Sequence, residues 1–200
     1  MKNKFKQIFV LTVISMITYT SVTRAQVVYK TGSSKSDDMK LSGTSTLHNW
    51  NMDAKVFTGN AQFDLAPGNK NQLTSLKALT FSLVAENFKS GENGLDKNAY
   101  KALKTSKYKN ISYKLTSAEV APASGNKFTI KTHGNLTIAG VTKEVMMDVY
   151  ATINKDGTIT CVGSDKLKMT DYQVTPPKFM MGAMTTGDDI TLAFTLVYKQ

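Results

Sequence analysis

Apolar side chains fall on every second residue in five stretches of the chain's C-terminal two-thirds. Leu79, Phe81, Leu83 and Ala85 are separated by Thr80, Ser82 and Val84. Ile111, Tyr113 and Leu115 form a shorter run. Phe128, Ile130, Leu136 and Ile138 alternate with Lys127, Thr129, Lys131, His133, Asn135 and Thr137. Val145, Met147, Val149, Ala151 and Ile153 follow, and Ile190, Leu192, Phe194, Leu196 and Tyr198 end the series. Successive side chains of a strand point to opposite faces, so each run has one apolar and one wet face. Strands wetted on one side belong to antiparallel sheets. Their apolar faces must share an interior, which parity alone does not identify as a filled core or a lumen.

Turn signals separate the runs: Ala66-Pro67-Gly68-Asn69, Ala123-Ser124-Gly125-Asn126, Ala139-Gly140 and Asn154-Lys155-Asp156-Gly157. The spacing predicts roughly eight to ten strands in one domain, folded as a barrel or a sandwich. Asp96 to Lys104 breaks the pattern, with Ala99, Tyr100 and Leu103 at helical spacing behind an Asp96 cap. This short helix is expected to cover one end of the strands. Thr31 to Asp38 reads as a loose polar lead-in. Met169 to Thr186 is rich in Pro and Met, and Pro176-Pro177 exclude ordinary ladder pairing there. Such an apolar loop must pack over a barrel mouth or leave a sticky patch.

The N-terminus changes the picture of where the protein works. Lys2, Lys4 and Lys6 precede an apolar stretch from Ile8 to Ile17, and Thr23-Arg24-Ala25 supplies small residues at its end. That is the pattern of a secretory signal peptide over residues 1–25, cleaved after Ala25. The apolar stretch is shorter than the roughly 20 residues that span a bilayer. The mature domain, residues 26–200, is therefore expected to be periplasmic or secreted.

Removing the signal takes four positive charges from the +10 of the whole chain, leaving +6. Every remaining cation is a lysine, because Arg24 is the sole arginine. Without the planar fork that reads phosphates and bases, nucleic acid is a poor partner. Transient contact with an anionic membrane surface stays open. So do monomer and homodimer. Cys161, the single cysteine, allows no internal disulfide and is expected to be a buried, small apolar residue.

Candidate chemistry is sparse. His48 shares parity with Trp50 and Met52 and is expected inside, as a headgroup ligand or a satisfied structural histidine. His133 has the opposite parity from Phe128 and Ile130 and is expected outside. Two histidines on opposite faces make a poor zinc pair, so no metal site is assigned. No nucleophile elbow, Cys/His signature or phosphate loop is present, and no catalytic residue is assigned. Met180, Met181 and Met184 could hold Cu(I) through their thioethers. They suit equally an adaptable apolar gate, together with Phe179.

Several segments resemble one known family. Gly43-Thr44-Ser45-Thr46-Leu47-His48-Asn49-Trp50 is similar to the opening strand signature of YceI-like proteins. Gly134-Asn-Leu-Thr-Ile138-Ala-Gly140-Val-Thr-Lys143 resembles their central hairpin. Tyr108 to Tyr113 and Lys166 to Tyr172 with Pro176-Pro177 match later segments, in family order from Lys40 to Tyr198. Asn49 replaces the usual Asp, Gln173 stands where many relatives have Gly, and Tyr108-Lys109-Asn110 replaces a Tyr-Pro pair. The resemblance implies an all-β, lipocalin-like extended antiparallel β-barrel of about eight strands with one short helix. It implies a lipid ligand, a polyisoprenoid such as a prenylquinone or another long-chain amphiphile, and no other cofactor. The lumen would then be lined by Trp50, Phe81, Leu83, Phe128, Ile130, Leu136, Val145, Met147, Val149, Leu192 and Phe194, with His48 at a headgroup. A copper-handling protein and an unrecognised secreted hydrolase are the alternatives.

Overall fold

The alternating runs become long antiparallel strands in a computed structural model of the chain, which describes residues 27–32 and 34–200. The predicted export signal lies outside the described residues. The strands are β1 (Tyr29–Thr31), β2 (Asp38–Ser45), β3 (Trp50–Ala54), β4 (Thr58–Ala66), β5 (Asn69–Val84), β6 (Asn110–Ser124), β7 (Lys127–Ile138), β8 (Val141–Ile153), β9 (Ile159–Lys168), β10 (Lys178–Phe179) and β11 (Met184–Tyr198). One helix, α1 (Asn93–Leu103), interrupts them between β5 and β6. Ten strands hydrogen-bond in the order β1-β4-β5-β6-β7-β8-β9-β11-β2-β3, and β10 pairs with the start of β11. The result is the curled, half-barrel antiparallel sheet of a lipocalin-like fold, its ten strands within the eight to ten expected, with β10 beside them. β1 and β10, three and two residues long, are too short to show a period.

Two isolated bridges tie the edges of the curl. Lys30 and Lys199 exchange backbone hydrogen bonds of 2.7 and 2.9 Å, joining β1 to the chain after β11. Asp53 and Lys89 do the same at 2.8 and 2.9 Å, joining β3 to the segment before α1. The polar lead-in turns out to be the fastening. Asp37 is 2% exposed, and its carboxylate accepts from the Thr31 hydroxyl, the Gly32 and Ser34 amides, and the Val197 amide at 2.7 Å. Four donors on one carboxylate satisfy a buried charge that would otherwise be very unfavourable.

Inward positions follow the predicted parity. Phe81, Leu83, Ile130, Leu136, Val149 and Leu196 are buried on facing walls. Glycines make room for rings: a Cβ on Gly134 would stand 2.4 Å from the Tyr113 ring, and one on Gly163 would stand 2.4 Å from Phe194. The β7–β8 turn is tight, with Ala139 at φ 48° and Gly140 at φ 80°. Both central residues of a type I′ hairpin need positive φ, which glycine accepts more readily than alanine.

The wall is interrupted at two ladders: β5 and β6 pair only from Thr80↔Lys114 to Val84↔Asn110, and β8 and β9 over a stretch as short, leaving a seam. β8 and β9 pair only from Val149↔Gly163 to Ile153↔Ile159. Above that point β8 stays with β7 and β9 stays with β11. A single helical turn, Thr170–Tyr172, lies against β8 at this gap, and its Tyr172 side chain is buried. Burial, followed by the Asp165 and Asp171 carboxylates, pushes the Tyr172 phenol up to about 12.

Candidate ligand-binding site

Two apolar cavities meet inside the curl. The mouth cavity, about 270 Å³, lies under α1 and is walled by the β2–β3 turn, α1 and the segment from Met169 to Thr186. The inner cavity, about 130 Å³, is the lumen of the sheet. Leu41, Phe88, Leu103, Ile138 and Ile190 line both and form a collar between them. Together the volumes sit at the lower end of the roughly 300–1,000 Å³ usual for small-molecule sites.

The helix over the mouth is held at three points. It begins at Asn93, earlier than the expected Asp96 cap. Asp96 is instead buried inside the helix and reaches back to accept from the Ser90 amide and hydroxyl at 2.8 and 2.7 Å. The Tyr100 hydroxyl accepts from Lys89 Nζ at 2.8 Å and donates to the Phe88 carbonyl at 2.8 Å. The Thr105 hydroxyl, just past the helix, donates to Glu86 Oε1 at 2.7 Å. Leu95, Ala99 and Leu103 are thereby presented to the mouth.

The sequence-predicted residues divide. Phe81, Leu83, Ile130, Leu136, Met147, Val149, Leu192 and Phe194 all line the inner cavity. Trp50 and His48 line the mouth instead. His48 is not an inward strand residue: it lies in the β2–β3 turn, exposed, where its carbonyl accepts from the Ser45 hydroxyl at 2.7 Å. The strand parity that placed it inside does not extend through a turn. Trp50 donates from its indole to the Thr44 carbonyl at 3.1 Å and covers Gly43. Phe128 is buried but touches neither cavity, because its place opposite Pro122 and Ala151 is toward the hairpin-turn end of the sheet. Val145 lines neither cavity either, standing beside the seam.

The expected gate is a hairpin formed by β10, the turn at Met180–Gly182 and the start of β11. Pro177 and Met184 face the mouth. Met181 does not: it sits at the tip with φ 57° and is fully exposed. Met181 and Met184 are thus on different sides of the hairpin and do not converge on one point. The side chains of Phe179 and Met180 lie outside the described residues. Among the described residues, no three His, Cys, Asp or Glu side chains are placed to hold a metal ion.

Parity also carried polar groups inward that the residue types did not advertise. Tyr113, Thr132, Cys161 and Tyr198 line the inner cavity. Burial pushes the Cys161 thiol up to about 12 and the Tyr198 phenol well above its ordinary value. Burial raises the Tyr113 phenol as well, with Thr132 close by holding the shift back. Each was visible as an inward position of an alternating run.

A model of the YceI-like domain matches residues 20–198. The chain belongs to the YceI-like family. Several solved structures share its fold at low identity. A polyisoprenoid-binding domain from Saccharophagus degradans, described as implicated in plant cell wall breakdown, aligns with TM-score 0.65 and 10% identity over 88% of this chain and 99% of that one. BcnA of Burkholderia cenocepacia aligns with TM-score 0.60 and 20% identity over 80% and 95% of the two chains. A YceI protein of Campylobacter jejuni aligns with TM-score 0.52 and 22% identity over 71% and 81%. No curated protein matches the sequence significantly.

Proposed function

We propose that this YceI-like protein binds a polyisoprenoid or another long-chain amphiphile through its mouth and lumen, and works as a carrier or scavenger without covalent chemistry. The observation that carries the reading is the join between the cavities. An extended chain can run from under α1 through an uncharged collar into an apolar lumen. Each methylene removed from water contributes about 0.8 kcal/mol before ordering costs, so a long tail needs few polar contacts. The polyisoprenoid-binding domain of Saccharophagus supports the same ligand class. Export after Ala25 would place the carrier in the periplasm or outside the cell, where its lysine-rich surface favours brief contact with anionic membranes.

The test is mass spectrometry of organic extracts from the purified mature chain, beside a Leu103→Lys variant. Leu103 is half-buried at the collar, so a lysine there can keep its ammonium near water while obstructing the passage. A stoichiometric prenyl or long-chain lipid, present in the parent and lost from the folded variant, is the expected result. An empty parent that also takes up no added prenylquinone would refute the reading.

A further inference from the structure

Two adjoining hairpins hold apolar tips at the rim of the mouth. The Thr46 amide donates to the Thr185 carbonyl at 3.0 Å, and the Thr185 amide donates to the Thr46 hydroxyl at 3.2 Å. These bonds stitch the β2–β3 turn to the hairpin of β10 and β11. Each turn carries a large apolar side chain into solvent: Leu47 is 67% exposed and Met181 fully exposed. Neither lines the mouth cavity, although Ser45, His48 and Met184 beside them do. The turns at the opposite end, Pro67-Gly68, Gly125-Asn126 and Lys155-Asp156-Gly157, carry no such side chains. One exposed leucine is ordinary on a protein surface. Two large apolar side chains on joined tips, at the edge of an apolar cavity, mark an interaction site.

The helix at the same mouth supplies charge. Leu95, Ala99, Ala102 and Leu103 turn one stripe of α1 toward the cavity. Lys97 and Lys101, one turn apart, occupy the opposite stripe, with Lys104 at the helix C-cap, and all three are exposed. From Lys89 to Lys109 the chain has six lysines and two carboxylates, and one of the two, Asp96, is buried and bonded to Ser90. From Gln173 to Gly187 it has Lys178 and no carboxylate, and from Leu41 to Met52 His48 is the sole ionisable side chain. Glu92 and Asp171 are exposed nearby, while Glu86 accepts from Thr105 and Asp188 from Thr170. Lysines therefore outnumber the acids around the rim.

We propose that the mouth rim is a membrane-docking surface, with Leu47 and Met181 entering an anionic bilayer and the α1 lysines lying on its headgroups. This rests on the lipid-binding reading above and specifies where the ligand is exchanged. Apolar insertion and attraction to anionic lipid reinforce each other at an interface, and lysine reaches headgroups along its flexible stem. Docked this way, the mouth opens onto the bilayer. A tail then passes between membrane and lumen without exposing its methylenes to water.

The experiment attaches a polarity-sensitive thiol dye to Met181→Cys or, at the far end, to Lys155→Cys; Cys161 is buried and stays unlabelled. Vesicles of phosphatidylcholine, alone or mixed with phosphatidylglycerol, are then added. Emission from position 181 should shift to the blue with the mixed vesicles alone, and emission from position 155 should not move. In co-sedimentation, Leu47→Ser/Met181→Ser and Lys97→Gln/Lys101→Gln should each bind the mixed vesicles about tenfold more weakly than the parent. Met146→Ser/Tyr150→Ser, which removes an exposed apolar pair from the outer face of β8, should bind them as the parent does. All should take up prenylquinone from cyclodextrin like the parent, because none of these side chains lines either cavity. No shift at position 181, a shift at position 155, or parental vesicle binding by either rim variant overturns the docking surface and leaves lipid binding standing. So does equal binding to neutral and mixed vesicles, or a loss with the β8 variant as large as with the rim variants. A parent that takes up no prenylquinone overturns the lipid-binding reading itself.

Discussion

Tyr113 and Phe194 each occupy the volume that a side chain would need at the facing glycine. Gly134→Ala and Gly163→Ala are therefore expected to lower unfolding free energy by about 1–3 kcal/mol each, measured by urea denaturation. Asp165 offers a different test. It stands opposite Leu192 on the inward parity of β9, and burial raises its pKa, with the Lys166 amide at 2.9 Å limiting the rise. A carboxyl raised in the folded state binds its proton more tightly there than in the unfolded chain. The resulting penalty is absent below the unfolded value and grows as pH rises through the folded one. Asp165→Asn should accordingly raise the melting temperature near about pH 7 and lose that advantage toward about pH 3, below the ordinary carboxylate range. A gain of equal size at both pH values would contradict the assignment. The inward placement of the two phenols, Tyr113 and Tyr198, was legible from alternation, and that of Thr132 from the parity of Phe128 and Ile130; Asp165 lies in β9, outside the five alternating runs. The empty hydrogen-bond positions of the phenols were not, because a partner's absence depends on packing across strands far apart in sequence.

Among the elements, α1 carries the most functional consequence, because it closes the mouth through a few polar anchors. Asp96→Ala removes both bonds to Ser90 and should destabilise the protein by about 1–2 kcal/mol. It should also speed release of a bound prenylquinone, read by stopped-flow dissociation. Unchanged release with lowered stability would mean that the helix does not control exit. The existence of this helix was legible from its spacing, but its start was not, since Asn93-Gly94 carries little helical signal and the anchoring Ser90 lies outside it. The long strands were legible because the two-residue period repeats over many residues. The β2–β3 hairpin misled at His48, where the chain leaves strand geometry and parity loses its meaning. The gate hairpin was legible only as composition. Two-residue pairing is too short to leave a period, so the outward turn of Met181 could not be read from its neighbours.

Closure of the curl depends on a short polar segment that looked like filler. Asp37→Ala would strip four donors of their shared acceptor and should cost about 2–4 kcal/mol, with faster hydrogen exchange at Val197 as the local sign. Exchange that quickens everywhere equally would point instead to a general loss of stability. The seam between β8 and β9 should show the complementary behaviour in the parent: β8 amides that point across it exchange sooner than those bonded to β7. That interrupted ladder gives the barrel the mechanics of a split ring. Its girth can grow along that line while every paired strand keeps its hydrogen bonds. A wall that can part along such a line would let a narrow bore admit tails thicker than its resting width.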